Sequence, residues 1–279
     1  GRNYLSGNIG NSVRCIHNYT PEINILTGEN SKIWKLLRDV STGRYPLQVG
    51  PINHSSIWWA MGLNNNELQI RPCMLNDEWN FVYDGSMNFE THADYWAEGG
   101  IFDPAFFCGS TDNMVGITVE DCSPWGSVSH KFKLDSGSPS KLTSLGKGAY
   151  VGFYKTATDI EVQHLTPMVQ DSVTYNVIKL TEGVVDTLIV EIEYRFQISS
   201  SVPEGYWRYV LVHYDNPDDE PPIPGYMPVA GFTLQINGLS ITCNNTSTGA
   251  DSYLWDFGDG QTSSEINPVH TYANGSLYN

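Results

Sequence analysis

Basic residues and long apolar segments are both scarce in this sequence. Lys and Arg number 15 against 31 Asp and Glu, so the 279-residue chain has a formal charge of -16. Nucleic acids and anionic membranes bind proteins through clustered Lys and Arg, which makes both poor partners for this chain. No apolar run reaches the ~18 residues of a membrane-spanning helix. We therefore expect no membrane insertion, and any signal sequence should have been removed or should lie outside this sequence.

Motifs for metal, nucleotide or hydrolytic chemistry are missing as well. The five cysteines have no CxxC spacing and no His at ligand distance, which disfavours a zinc site. Gly-x-Ser-x-Gly, GxGxxG, P-loop, HExxH and EF-hand patterns are absent. We therefore predict no cofactor, no metal site and no enzymatic activity. The sequence allows either one or two disulfides among Cys15, Cys73, Cys108 and Cys122 or buried free thiols.

The abundant residue types indicate an exported β protein. Aromatic residues make up 12% of the chain and hydrophobic residues 40%, with 26 glycines. Together with many Ser, Thr and Asn, this usage is typical of secreted all-β proteins, because strands favour aromatic and β-branched residues and turns favour Gly and Asn. We predict an all-β fold and an extracellular location.

The clearest strand lies between Thr187 and Ile198, where apolar residues alternate with polar ones. This period of two predicts one dry face and one solvent-exposed face. Its predicted partner is Trp207 to Tyr214, and further strands are predicted at Val173 to Leu180 and Tyr150 to Lys155. The spacing is typical of a sandwich or a barrel. We predict a large β-sandwich or jelly-roll-like body over residues 1–214.

One short helix is expected within this body. Asn30 or Ser31 can cap it, and it would end near Gly43, well before the next proline. Its apolar face would consist of Ile33, Leu36, Leu37 and Val40.

An acidic, proline-rich segment follows the body. Asp215 to Gly225 contains four prolines and four acidic residues in eleven positions. Proline cannot donate to a β-ladder and like charges repel, so the segment should be extended and solvated, with few tertiary contacts. We therefore place a linker at 215–227, between the body at 1–214 and a C-terminal domain at 228–279. The linker carboxylates lack the loop glycine and the ligand spacing of a Ca²⁺ site, so solvation is the expected state.

The C-terminal domain opens with two alternating strands around Asn237-Gly238, a dipeptide that accepts positive φ in a type I′ hairpin turn. The motif Trp255-Asp-Phe-Gly-Asp-Gly260 follows, and ten residues later comes His270-Thr-Tyr272. On these residues, the segment from about Pro228 to Asn279 resembles a PKD domain, an Ig-like β-sandwich found in surface proteins.

The resemblance implies structural roles for eight motif residues, Trp255, Asp256, Phe257, Gly258, Asp259, Gly260, His270 and Tyr272. Trp255 and Phe257 would fill the sandwich core, and Gly258 to Gly260 would form a tight turn. A PKD domain has no active site of its own. Such domains usually continue into two further strands, so we expect an incomplete domain, either truncated or completed by a partner.

The densest group of acid–base and metal-binding side chains comprises Glu90, His92, Asp94 and Asp103. His92 and Asp94 are two residues apart, so they would share one face of a strand. A third ligand is not evident, and the group is a weak candidate for a metal site.

Glu191 and Glu193 form a candidate carboxylate pair on the solvent-exposed face of the clearest strand. Their separation of about 7 Å by strand rise is compatible with glycoside hydrolysis. Exposed strands often carry such pairs, and Arg195 beside them favours a cross-strand charge ladder.

Trp58, Trp59 and Trp96 form a candidate aromatic binding surface. Tryptophan rings can stack on sugars or line a protein interface, although aromatic residues at this density more often lie in a core.

These features favour a non-enzymatic structural or adhesive subunit of an extracellular assembly, such as a cell-surface adhesin, a surface filament, or a virion or phage appendage. The expected partners are other copies of the chain or other subunits, with glycans as a further class. Two alternatives are a secreted hydrolase with an accessory PKD domain and a glycan-binding module. We expect the chain to be located at a cell surface or a virion surface.

Overall fold

The computed structural model describes residues 21–156, 169–195, 200–224, 230–247 and 252–275. Cys15 and the end of the predicted strand at 196–198 lie outside the described residues. The same holds for residues 276–279. The expectation of an incomplete domain concerns strands that would follow Tyr272, and it stays a prediction.

Strands dominate the described chain. They are β1 (Ser31–Leu36), β2 (Leu47–Pro51), β3 (Trp59–Ala60), β4 (Glu78–Val82), β5 (Ser86–Glu90), β6 (Asp94–Trp96), β7 (Cys108–Ser110), β8 (Val128–Asp135), β9 (Ser140–Leu145), β10 (Ser172–Thr181), β11 (Asp186–Tyr194), β12 (Gly205–His213), β13 (Phe232–Asn237), β14 (Ser240–Asn245), β15 (Trp255–Asp256), β16 (Thr262–Ser263) and β17 (Val269–Thr271). The α-helices are α1 (Pro21–Thr27), α2 (Glu67–Ile70) and α3 (Pro72–Leu75). No helix in the described part of the chain is long and apolar enough to cross a membrane.

The body is built on one antiparallel sheet that closes on itself. Its ten strands run in the order β1-β4-β5-β8-β9-β10-β11-β12-β2-β3, and β1 also pairs with β12. In this closing pair, Lys35 lies opposite Val212 and Leu36 opposite Leu211. The predicted all-β class is confirmed. Of the sandwich and barrel arrangements that the strand spacing allowed, the body has the barrel-like one.

The predicted short helix from residue 31 is wrong, because Ser31–Leu36 forms β1. Trp34 and Leu36 are fully buried while Ile33 is 39% exposed, which is the alternation of a strand. The apolar residues at 33, 36, 37 and 40 also fit a helical spacing. Pairing with β4 and β12 on either side decides in favour of the strand.

The strands predicted around Val173, Leu188 and Val210 are confirmed as β10, β11 and β12. The predicted strand from Tyr150 to Lys155 is wrong, because this segment is a loop that ends in a 3₁₀ turn at Tyr154–Thr156. Its apolar side chains are buried although the backbone makes no strand.

The face of β11 that we predicted to be exposed is partly covered. Thr187 and Glu191 are both 4% exposed. The loop that carries His54 packs over Glu191, which the alternation within β11 could not reveal.

Aromatic side chains fill the barrel. Trp34, Trp79, Trp125, Tyr175 and Tyr209 are fully buried and belong to one hydrophobic core. The pairing of β1 with β12 closes eight of the ten strands into a ring, with β2 and β3 outside it. An eight-stranded barrel has an interior just wide enough for side chains to fill, and here they fill it.

One disulfide joins α3 to β7. Cys73 and Cys108 are bonded, whereas Cys122 and Cys243 are buried free thiols. The described cysteines therefore combine the two arrangements that the sequence left open.

The acidic segment after β12 contacts the body, contrary to our expectation of few tertiary contacts. Glu220 forms ion pairs with Lys35 at 3.0 Å and Arg38 at 3.1 Å, and Arg38 also donates to the carbonyl of Pro221. Ile223 packs against the hydrophobic core. The free energy gained by burying Ile223 and by pairing Glu220 with two cations exceeds the free energy that the acidic segment would gain from solvation. The boundaries proposed at 214 and 227 stay predictions.

The C-terminal domain has two small sheets, β13-β14-β17 and β15-β16. The predicted hairpin between β13 and β14 is confirmed, but the turn is shifted by one residue. Asn237 pairs with Ser240, so the turn residues are Gly238 and Leu239. Only Gly238 has positive φ, at 64°, which fits a type II′ rather than a type I′ turn.

Replacing Gly238 by Ala is expected to lower the stability of the C-terminal domain by about 1 kcal/mol, because an L side chain is strained at positive φ. No atom lies within 4 Å of the new Cβ, so strain rather than a clash is responsible. Hydrogen exchange of the β13 and β14 amides measures the loss. Unchanged protection of these amides in Gly238→Ala would contradict the turn assignment, while the amides of β11 and β12 serve as the internal control.

Candidate functional site

A buried charged cluster on the outer face of the barrel is centred on Glu191. Glu191 on β11 lies opposite Arg208 on β12. Both the Nε and Nη2 groups of Arg208 donate to Oε1 of Glu191. His54 Nε2 lies 3.1 Å from Oε2, and only 5% of the Glu191 side chain is exposed. Both oxygens of this carboxylate are therefore engaged within the protein.

The loop between β2 and β3 holds His54 in place. His54 has a φ of 56°, and its ring stacks on Tyr206 with centroids 4.2 Å apart. The Tyr206 hydroxyl accepts a hydrogen bond from Gln48. A Cβ on Gly50 would lie 2.6 Å from the carbonyl oxygen of Ser56, so only glycine allows the loop to fold back this closely.

The candidate carboxylate pair consists of two residues in unlike environments. Glu191 is buried against Arg208, whereas Glu193 is exposed on the same strand. A glycosidase needs two carboxyl groups facing one substrate. Glu191 instead belongs to a charge ladder between strands. Its cross-strand partner is Arg208 rather than Arg195.

The three tryptophans of the candidate aromatic surface are not equally accessible. Trp96 is 2% exposed and lies in the core, so it does not contribute to a surface. Trp58 is 48% exposed and Trp59 is partly buried. Trp58 therefore remains as the accessible member of the predicted set.

A second charged cluster lies between Trp59 and Trp96. The guanidinium carbon of Arg71 is 5.3 Å from the ring centroid of Trp59 and 4.4 Å from that of Trp96. Glu98, which is 7% exposed, accepts hydrogen bonds from Lys155 at 2.8 Å and Trp96 Nε1 at 3.0 Å, and Arg71 lies 3.4 Å away. Arg71 also pairs with Glu67, so two cations face two carboxylates and the cluster balances its own charge.

The residues of the predicted acid–base group do not converge as metal ligands. His92 lies 3.6 Å from Glu78, and Asp94 accepts hydrogen bonds from Asn76. Among the described residues, the group with three ligand atoms close together is a different one, formed by Asp186, His213 and Asp215.

Asp77 is a buried acid next to this group. Burial raises the pKa of Asp77 well above its ordinary value, and the negative charges of Asp94 and Glu90 raise it further. Its Oδ1 has no hydrogen-bond partner among the described residues, and it borders a cavity of ≈ 10 Å³. This is about the room that one water molecule needs.

Asp77→Asn is expected to remove a loss of stability at high pH. Because the folded protein raises the pKa of Asp77, the folded state holds a proton that the unfolded state has released. Stability therefore falls as pH rises from about 4, the ordinary aspartate range, to the folded-state pKa. Urea unfolding at pH 4 to 8 measures this dependence. The free energy of unfolding should decrease less with pH in Asp77→Asn than in the wild type. The same pH dependence in the wild type and in Asp77→Asn would contradict this prediction. Asp84→Asn, at an exposed aspartate, is the control.

The motif residues of the C-terminal domain contact one another, and Phe257 and His270 are the buried members of the set. Phe257 is 8% exposed and stacks on His270 at 4.1 Å, and His270 Nε2 lies 2.8 Å from Asp259. The Tyr272 hydroxyl donates to the carbonyl of Phe257. The expectation that Trp255 fills the core is wrong, because its ring is only partly buried and its Nε1 donates to the carbonyl of Glu265.

The turn of this motif has the predicted form. Gly258 and Gly260 have φ values of 76° and 86°, and the Gly258 amide donates to Asp256. Burial alone would raise the pKa of Asp259, but hydrogen bonds from the Gln261 amide and from His270 give a net lowering. The motif residues thus stabilise one another.

Residues 232–279 match the family model of the PKD domain. This segment is a PKD domain. The chain is also 49% identical over 55 residues to the pre-pro-metalloprotease PrtV of Vibrio cholerae, a stretch that covers 18% of this chain and 6% of that protein. It is 67% identical over 27 residues to collagenase ColQ1 of Bacillus cereus, covering 10% of this chain and 3% of the collagenase. The chain thus matches only a small part of either relative's length, and the PKD domain is the part with a known family.

Sequence reasoning missed the partners in both charged clusters of the body. Arg208 faces Glu191 across a hairpin, so correct strand register alone would have paired them. Arg71, Glu98 and Lys155 are brought together from three separate segments, and no local pattern in the sequence signals that contact.

Proposed function

We propose that this chain is a non-enzymatic structural or adhesive component of an extracellular assembly. The observation that carries the proposal is the pairing within the two charged clusters of the body, around Glu191 and around Glu98. Glu191 is bound by Arg208 and His54, and Glu98 by Lys155 and Arg71. A catalytic acid or base must reach a substrate proton, whereas these groups reach one another.

The packed interior supports a scaffold role. Large aromatic side chains occupy the centre of the barrel, where barrels that bind small ligands keep a cavity. A filled barrel offers its outer surface and loops for contacts with other molecules.

Three observations support a location outside the cell. The disulfide between Cys73 and Cys108 is of a kind that persists in oxidising compartments. The PKD domain is similar to parts of a pre-pro-metalloprotease and of a collagenase, two names that suggest secreted enzymes. The charge of -16 favours solubility at a crowded surface.

The chain is proposed to work as a repeated subunit of a cell-surface or virion structure. Apolar side chains are exposed in two loops of the body that are joined by a hydrogen bond from the Ile117 amide to the Ile101 carbonyl. In these loops Phe106 is 67% and Val119 83% exposed. Exposed apolar groups of this size mark interaction surfaces when they cluster. The proposed partners are other copies of the chain or other subunits of the assembly.

Two other functions each have one observation in their favour. The match to a metalloprotease and a collagenase favours a secreted hydrolase in which the PKD domain is accessory. The exposed ring of Trp58 favours a glycan-binding module, because tryptophan stacks on sugars.

Two measurements on the intact chain test the proposal. A panel of polysaccharides and peptides should show no turnover above buffer, and light scattering at physiological ionic strength should show a mass that rises with concentration. Turnover of one substrate class would favour the hydrolase, and a monomer that binds one glycan would favour the binding module.

A further inference from the structure

A third group of ionisable residues lies where the chain leaves the barrel. Asp186 begins β11 and His213 ends β12, and the two are directly opposite in the antiparallel register. Asp215 follows two residues later. One ligand atom from each of the three residues lies within 4.8 Å of the others. Strand pairing thus brings Asp186 and His213 together, and the chain that follows β12 adds the carboxylate of Asp215.

The imidazole of His213 is oriented as it is in metal sites. Its Nδ1 lies 2.8 Å from the carbonyl oxygen of Ile33 on β1. A carbonyl only accepts, so Nδ1 carries the hydrogen and, in the neutral ring, Nε2 presents a lone pair. Nε2 is the atom that lies 3.5 Å from Asp215. Metal-binding histidines commonly donate their second N–H to a backbone carbonyl in this way.

Lys32 supplies a counter-charge next to this group. Its Nζ lies 2.6 Å from Oδ2 of Asp186, while Oδ1 of Asp186 accepts from the Gly183 amide. A carboxylate has about four lone pairs, so Asp186 retains acceptor capacity after both contacts. The ammonium group competes electrostatically with a cation, and its removal should strengthen cation binding.

We propose that Asp186, His213 and Asp215 bind one divalent transition-metal ion. Imidazole with carboxylates suits Zn²⁺, whereas Ca²⁺ and Mg²⁺ prefer all-oxygen sites. Because Asp215 is the first residue of the acidic segment, the ion would join the start of that segment to β11 and β12. The site is independent of the function proposed above.

Titration of the metal-free full chain with Zn²⁺ at pH 7.5, followed by calorimetry, tests the site. One ion should bind per chain. Asp215→Asn and His213→Ala should each weaken binding by at least about tenfold, since loss even of an outer partner costs about 10–100-fold. Lys32→Met should tighten binding. The Asp215 side chain is 92% exposed, so its substitution does not threaten folding.

The controls are His92→Ala and Asp218→Asn. His92 is an exposed histidine that belongs to no three-ligand group among the described residues, and Asp218 is an acid of the same segment outside the group. Both should bind Zn²⁺ as the wild type does. No binding by the wild type, equal binding by Asp215→Asn, or loss of binding in His92→Ala would each overturn the proposal.

Discussion

Replacing Arg208 by Met is expected to lower the free energy of unfolding by about 3 kcal/mol, because removing one partner strands the other charge in a buried position. Glu191 is 5% exposed and Arg208 28% exposed at their side chains. His54 still contacts Glu191 in the variant, so the loss should fall at the lower end of the range for buried pairs. Urea unfolding of the full chain measures it.

A double replacement distinguishes the effect of an unpaired buried charge from the effect of lost side-chain packing. Glu191→Met with Arg208→Met removes both charges, and most of the lost stability should return, since apolar residues often substitute for a buried ion pair without cost. Lys133→Met is the matched control, because the Lys133–Asp135 pair is 65% and 47% exposed. Its cost should stay below about 1 kcal/mol. A double variant as unstable as Arg208→Met would contradict the account.

Removing the disulfide is expected to cost about 4 kcal/mol. Cys73 and Cys108 are 35 residues apart in the sequence, and closing a loop of that size restricts the unfolded chain by about this free energy. The variant with Ala at both positions should therefore unfold at lower urea concentration than the wild type.

Reductant provides the control for this prediction. Dithiothreitol should lower the stability of the wild type towards that of the double-Ala variant and leave the variant unchanged. Wild-type stability that does not respond to reductant would show that the bond does not contribute. Cys122 and Cys243 are free thiols and should not produce a reductant effect of their own.

The parts of the fold that local patterns encode were predictable. Alternation identified β11 and its partner β12, and the Trp255 to Gly260 motif identified the PKD domain. The sequence wrongly predicts a helix at β1, because its apolar residues fit both periods and only its neighbours β4 and β12 decide between them.

The charged clusters could not be predicted, because their members come together only through tertiary structure. Lys155 and Glu98 are 57 residues apart, and His54 and Glu191 are 137 apart. The contact of Glu220 with Lys35 and Arg38 was hidden for the same reason, so composition alone wrongly indicated a segment with few contacts. Amino-acid composition indicates how well an isolated segment is solvated, whereas the residues that the segment contacts depend on the whole fold.

Turnover and stability measured on one preparation of Glu191→Gln test the central claim, that the paired charges around Glu191 stabilise the body and do not catalyse. Gln keeps the shape of Glu but removes the charge that Arg208 and His54 contact. We expect the free energy of unfolding to fall by about 1–3 kcal/mol, with no turnover in wild type or variant. Turnover by the wild type that Glu191→Gln abolishes would contradict the claim, and so would a variant as stable as the wild type.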